Sequence, residues 1–168
     1  FEYSQKLNKV TIGSSVTEIE QYAFRYCYTL KEFDVAAENT KYQDVDGVLF
    51  ENEEGNPKIL IQYPAKMETF TKYYIPETVT TIGTKAVQTS GLKEVEIPTS
   101  VTSIGEFSFN KCEELTKIEV DEGNENYESD DYGVLFEKET NILIAYPIGN
   151  TQTSYTIPSG TKIIEEQA

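Results

Sequence analysis

The chain contains no histidine. That removes Ser-His-Asp and Cys-His nucleophilic catalysis and leaves metal binding to carboxylates and two cysteines. Its 29 acidic residues could supply a carboxylate pair for glycoside hydrolysis, but they are spread along the chain and not gathered beside irregular loops. No catalytic residue, cofactor or resident metal is therefore expected. The sharpest acidic group is Asp121-Glu-Gly-Asn-Glu-Asn126 with Glu128, Asp130 and Asp131. Oxygen-rich loops can hold Ca²⁺. This one lacks the EF-hand spacing, and the matching stretch after Asn39 carries only Asp44 and Asp46. A solvated acidic loop is the expectation, with calcium binding over 121–131 left open.

Cys27 and Cys112 occupy the same position of two internal repeats, where Ser90 and Ser4 stand elsewhere. A position that takes Cys or Ser reads as a small packed slot. Several coils at ~4.8 Å each would hold the two sulfurs ~14 Å apart, beyond the ~7 Å Cα separation a disulfide can bridge. Both thiols are expected to be free.

The elements that must position these residues are repeats. A unit Ile-[Gly/Pro]-x-x-[Val/Thr]-x-x-Ile starts at Ile12, Ile75, Ile97 and Ile157. A short Ala/Ser-Phe segment follows (Ala23-Phe24, Ser108-Phe109, weaker at Ala86-Val87), then an alternating stretch such as Leu92-Lys-Glu-Val-Glu-Ile97. Alternation of apolar and charged residues marks a half-buried strand, and Pro98 ends it. One such coil buries too little alone, whereas stacked coils share a continuous core. Most coils run to about 22–23 residues, which suggests roughly six of them.

Two coils are longer, and their extra segments match. One carries Gly47-Val-Leu-Phe50 and Ile59-Leu-Ile61, closing on Tyr63-Pro64; the other carries Gly133-Val-Leu-Phe136 and Ile142-Leu-Ile144, closing on Tyr146-Pro147. Two apolar runs joined by a polar turn predict a β-hairpin in each. A complete extra coil is the rival reading, disfavoured by the short stretch from Tyr63 to Ile75. The chain thus reads as one solenoid segment over 1–168, made of super-repeats of about 85 residues (approximately 1–85 and 86–168). Both ends fall inside a repeat, and exposed apolar seams there predict end-to-end association or fraying.

The run from Leu92 to Leu115 (LKEVEIPTSVTSIGEFSFNKCEEL) resembles the BspA-like leucine-rich repeat. Departures from that pattern stand at Val87, Thr161 and Glu165. The resemblance implies a mainly β fold: a right-handed solenoid with a parallel concave sheet, short turns or 3-10 segments, and two hairpin inserts. It also implies an extracellular or cell-surface protein of bacterial type, with adhesion among the family's roles.

On such a sheet the outward residues form a ladder: Lys9 and Thr11, Glu32 and Asp34, Lys72 and Tyr74, Glu94 and Glu96, Lys117 and Glu119. The candidate partner-binding set is Glu32, Asp34, Tyr74, Glu94, Glu96, Lys117 and Glu119. Its acidic middle predicts a basic partner and binding that falls with salt. Tyr22, Tyr26 and Tyr28 lie beyond the strand, as a second contact patch or as packing between coils. A net charge of −15 disfavours nucleic acid and anionic membrane surfaces, and no apolar stretch approaches the ~20 residues of a membrane span. The expected function is a non-catalytic binding or adhesion module for a protein or glycan. The alternatives are a structural spacer or an accessory region of a larger secreted protein, including one with a catalytic domain elsewhere.

Overall fold

Alternating strands cut short by Pro or Gly favour a stack of short turns over a broad sheet, and that is the architecture found. The computed structural model describes residues 1–67 and 70–168. It is a β-solenoid of about seven turns, and no helix occurs among the described residues. Of the expected short turns or 3-10 segments, tight turns are what forms, as at residues 21–26 and 84–89.

One side carries parallel strands in two separate sheets. β1 (Lys9–Ile12) pairs with β2 (Glu32–Val35). The next strands by sequence belong to the first insert: β3 (Tyr42–Val45), β4 (Val48–Glu53) and β5 (Asn56–Gln62). Then β6 (Lys72–Tyr74), β8 (Glu94–Ile97) and β10 (Lys117–Val120) form the second parallel sheet. A second side holds the short strands β7 (Thr81–Ile82) and β9 (Ser103–Ile104), parallel to each other and to β5. The second insert repeats the first as β11 (Tyr127–Ser129), β12 (Leu135–Glu137) and β13 (Ile142–Ala145), with β14 (Ile163–Ile164) pairing parallel to β13.

The predicted hairpins are present as β4–β5 and β12–β13, both antiparallel. They are not appendages. In each insert a further strand pairs antiparallel with the first arm, while the second arm continues into the parallel ladder. The first arm is buried on both faces: Leu49 packs with the core around Val10, Phe24 and Phe33, whereas Val48 and Phe50 join the core around Val79, Val95 and Ile118. Leu135 belongs to that same central core, and Val134 and Phe136 face the next one. Near-continuous apolar runs are what a doubly covered strand requires.

The insert also ends each parallel sheet. The Phe33 amide donates to Gly47 O at 2.9 Å and the Ile118 amide to Gly133 O at 3.1 Å. The Val35 amide donates to Asp44 Oδ1 and the Val120 amide to Ser129 Oγ. A tight loop thereby covers the open edge of β2 and of β10. Gly133, at φ +75°, presses so closely that an added Cβ would stand 2.9 Å from Lys117 Cα.

A buried asparagine ties each insert to the coil before it. The Asn124 side chain donates to Pro98 O and Val101 O and accepts from the Asn126 and Tyr127 amides. Asn39 does the same with Gly13 O, Val16 O, Lys41 and Tyr42. The following tyrosine hydroxyls accept the Ile19 and Ile104 amides.

Candidate partner-binding face

The parallel strands bury alternate residues and turn the others outward. Val10, Phe33, Tyr73, Val95 and Ile118 are buried, while their neighbours form the expected ladder. The register aligns Lys72, Glu94 and Lys117 in one row and Tyr74, Glu96 and Glu119 in the next. Lys9 faces Glu32, and Thr11 faces Asp34, across β1 and β2.

The candidate residues fall into two groups. Tyr74, Glu94, Glu96, Lys117 and Glu119 share the three-stranded sheet. Glu32 and Asp34 stand on the two-stranded sheet, beyond the first insert. The predicted ladder is therefore in register but interrupted, because the loop at Gly47 takes the edge of β2 that the next coil would have used.

The acids on this face are largely paired. Lys72 Nζ reaches Glu96 at 2.6 Å and also Glu119, which Lys117 joins. Lys9 Nζ lies 3.1 Å from Glu32 and 2.9 Å from Asp34. Hydrogen bonds from Lys117 and Lys72 hold the Glu119 carboxyl below its ordinary range, and bonds to Glu119 and Glu96 raise the Lys72 ammonium. Opposite charges on adjacent strands stabilise a sheet by a fraction of a kcal/mol each, ~0.2–1. The expected acidic middle is thus largely self-paired but still net negative, with three glutamates against two lysines on the three-stranded sheet and Glu94 lacking an ion-pair partner among the described residues.

Tyr74 is the aromatic feature of this face. It is 63% exposed, with Lys72 Nζ 4.9 Å from its ring centroid. At the opposite edge, Glu94, Thr116 and Lys117 meet Asp131, Tyr132 and Asn150 around a hollow of about 250 Å³. Lys72 was not in the sequence-derived binding set, yet it links Glu96 to Glu119. The signal for it was its place in the outward column beside Glu94.

The two cysteines and the acidic loop have structural roles. Cys27 and Cys112 are free and buried. Cys112 Sγ donates to Val87 O at 3.1 Å and lies beside Ser90, and burial pushes its thiol up to about 11. In the acidic loop, Asp121 Oδ1 accepts the Gly123 amide, Asp130 Oδ1 accepts the Tyr132 and Val134 amides, and Asp130 Oδ2 accepts the Tyr155 hydroxyl. Among the described residues, no three His, Cys, Asp or Glu side chains come together as a metal site. No described helix is long and apolar enough to cross a membrane.

The profile of the BspA type Leucine rich repeat region matches residues 1–73 and 65–142, with six copies. The chain belongs to this family. Among solved structures, a leucine rich cell surface protein from Faecalibacterium prausnitzii is 33% identical over 67% of this chain and 29% of its own, with a TM-score of 0.61. A leucine-rich repeat protein from Eubacterium ventriosum is 28% identical over 98% of this chain and 39% of its own, with a TM-score of 0.62. The pneumococcal vaccine antigen PcpA is 23% identical over 94% of this chain and 41% of its own, and its TM-score of 0.52 reflects the fold alone. The chain thus spans well under half the length of each of these proteins. A search of curated proteins found no match.

Proposed function

We propose that this BspA type segment is a non-catalytic, extracellular or cell-surface adhesion module. It takes a protein or glycan partner on the three-stranded face of Tyr74, Glu94, Glu96, Lys117 and Glu119, with Glu32 and Asp34 as a satellite patch. We read residues 1–168 as one solenoid unit of two insert-bearing super-repeats. The observation that carries this reading is the exposed Tyr74 beside Lys72, whose ammonium pairs with both Glu96 and Glu119. Tyrosine is enriched where proteins meet, and a side chain with few rotatable bonds loses little entropy on binding. The likeness to a cell surface protein supports the location.

The test is a glycan array and a panel of extracellular matrix proteins probed with three forms: the wild type, Tyr74→Ala with Glu94→Lys, and a control altered at Lys58 on the first insert. Loss of a wild-type signal only in the face variant is the expected result. A signal equal in all three forms would refute the face. The absence of any signal would favour the spacer or accessory reading, which the self-paired charges also suit.

A further inference from the structure

A gap lies on the third side of the solenoid, where the turn segments stack. There the amides of Lys85, Val87 and Thr89 donate to Glu106 O, Ser108 O and Asn110 O of the next coil, and the Tyr3 amide donates to Arg25 O. By the same alternation, the amides of Tyr22, Phe24 and Tyr26 point toward the coil at 84–89. They have no protein partner there among the described residues. The first insert supplies its strands on the other sides but no turn segment here. It runs beneath the gap, where the Tyr63 amide takes Ala86 O. One rung is missing, and a slot of about 220 Å³ remains over Ile61, Gln62 and Ala65.

The rim of this slot concentrates cations and phenols in a chain of net charge −15. Lys85 Nζ stands 4.5 Å from the Tyr22 ring centroid, and Arg25 Cζ stands 4.4 Å from that of Tyr26. Lys111 Nζ lies 5.9 Å from the Tyr26 ring centroid. Neither Lys85 nor Lys111 has an ion-pair partner among the described residues; Arg25 reaches Glu2 at 3.5 Å, and Glu20 is the acid in the lining. Arg25 Nε is buried without a hydrogen-bond partner. The Tyr26 hydroxyl is held below its ordinary range, first by the Arg25 hydrogen bond and then by the charges of Arg25, Lys111 and Lys85.

The second super-repeat is an internal comparison. Its equivalent slot replaces Tyr22 by Phe107, Arg25 by Asn110, Gln62 by Ala145, Ala65 by Ile148 and Lys85 by Gln167. Asn110 Nδ2 donates to Gln167 Oε1 across that slot at 2.8 Å. The missing rung is thus a consequence of the insert; Tyr146 lines the second slot, but the cations and the phenols at positions 22 and 26 belong to the first.

We propose that the first slot binds a carboxylate-bearing sugar residue of an acidic glycan, through the free amides of Tyr22, Phe24 and Tyr26, the cations Arg25 and Lys85, and the Tyr22 ring. The slot is smaller than the ~300 Å³ at which drug-sized pockets begin, which suits one pyranose ring. The C–H face of such a ring packs on the electron-rich phenol face. Separate amides suit separate oxygens, and the cations suit the carboxylate. Tyr3 and Tyr28 flank Tyr26 at 4.8 and 5.8 Å between ring centroids, extending the aromatic surface for further sugar units. This site stands apart from the face proposed above.

The test is an amide-resolved NMR titration of the whole chain with D-glucuronate, D-glucose, acetate and an acetylated Glu-Glu dipeptide. Saturable shifts centred on Tyr22, Phe24 and Tyr26 with glucuronate are expected, with glucose and acetate weaker by about tenfold or more. Lys85→Gln and Tyr22→Ala should each weaken glucuronate by about fivefold or more. Tyr22 is exposed and Lys85 half-buried, so an unchanged melting temperature shows that the fold is intact, while Glu94→Lys should leave this binding alone. Equal response to glucose, equal response to acetate, tighter binding of the dipeptide, or no shift at these amides would each overturn the proposal.

Discussion

Substituting Gly133 by alanine tests whether the insert is pressed onto the edge of the face. Three glycines share nearly the same positive φ and differ in what surrounds them: Gly55 at +78°, Gly47 at +81° and Gly133 at +75°. A Cβ at Gly55 would meet nothing within 4 Å, so Gly55→Ala should cost only the left-handed penalty of about 1–2 kcal/mol. At Gly47 it would meet Glu32 Cβ at 3.1 Å and Met67 Cε at 3.2 Å. The flexible thioether can yield, so the increment there should stay below about 1 kcal/mol. At Gly133 it would meet Lys117 Cα at 2.9 Å and the Ile118 amide nitrogen at 3.0 Å, which are backbone atoms of β10. The loop must lift, loosening the bond from the Ile118 amide to Gly133 O, for about 1–3 kcal/mol more. Urea denaturation at unchanged m-value should rank the losses Gly55 < Gly47 < Gly133, with Gly133→Ala near 2–5 kcal/mol in all. Hydrogen exchange at Ile118 should rise in that variant. Equal losses at Gly55 and Gly133 would show that the loop does not close the edge.

Asn124→Ala removes both acceptor and donor contacts of a buried side chain, leaving Pro98 O, Val101 O and two amides short of partners. A loss of about 3 kcal/mol or more in urea denaturation is expected. Glu119 has a folded pKa below its unfolded value, so its contribution is present above the unfolded carboxylate pKa and is lost as pH falls through the folded one. Because the pair is partly exposed, the wild type should exceed Glu119→Gln by only about 0.5–1 kcal/mol at pH 6, and the gap should close toward pH 3. The Cys112 thiol, raised to about 11 by burial, should resist a disulfide reagent at pH 8 in a Cys27→Ser background. It should react fully once denatured; rapid native labelling would refute its packed setting.

Much of this fold was legible because a solenoid repeats its physics locally. Alternation in Leu92–Ile97 and its relatives announced strands, and the recurrence of Val10, Phe33, Val95 and Ile118 aligned them in register. The matching Gly-Val-Leu-Phe runs announced the hairpins. What stayed hidden was non-local. No pattern in Val48-Leu49-Phe50 says that Leu49 faces one core and its neighbours another; a short apolar run reads the same whether one face or two are covered. Likewise the outward column listed Glu32 and Glu94 as equals, and only the loop at Gly47 separates their sheets. Lys72 as a hub was hidden for a simpler reason: its reach to Glu119 crosses an intervening strand. The tyrosines at 22 and 26 were visible, but the slot beneath them follows from a segment the insert lacks.

The two proposed sites therefore share one cause. An insert that replaces a coil on some sides of a solenoid, but not on all of them, must end a sheet on one side and open a gap on another. On the strand side its glycine loop takes the amides of β2 and β10, so each super-repeat presents a bounded patch and not an endless ladder. On the turn side it leaves the amides of Tyr22, Phe24 and Tyr26 without a protein partner among the described residues. The backbone alone would make both features in both copies. The side chains decide their use: Lys72, Tyr74 and Glu119 on one patch, and Arg25, Lys85 and Tyr22 in one slot, with Asn110 and Gln167 closing the other.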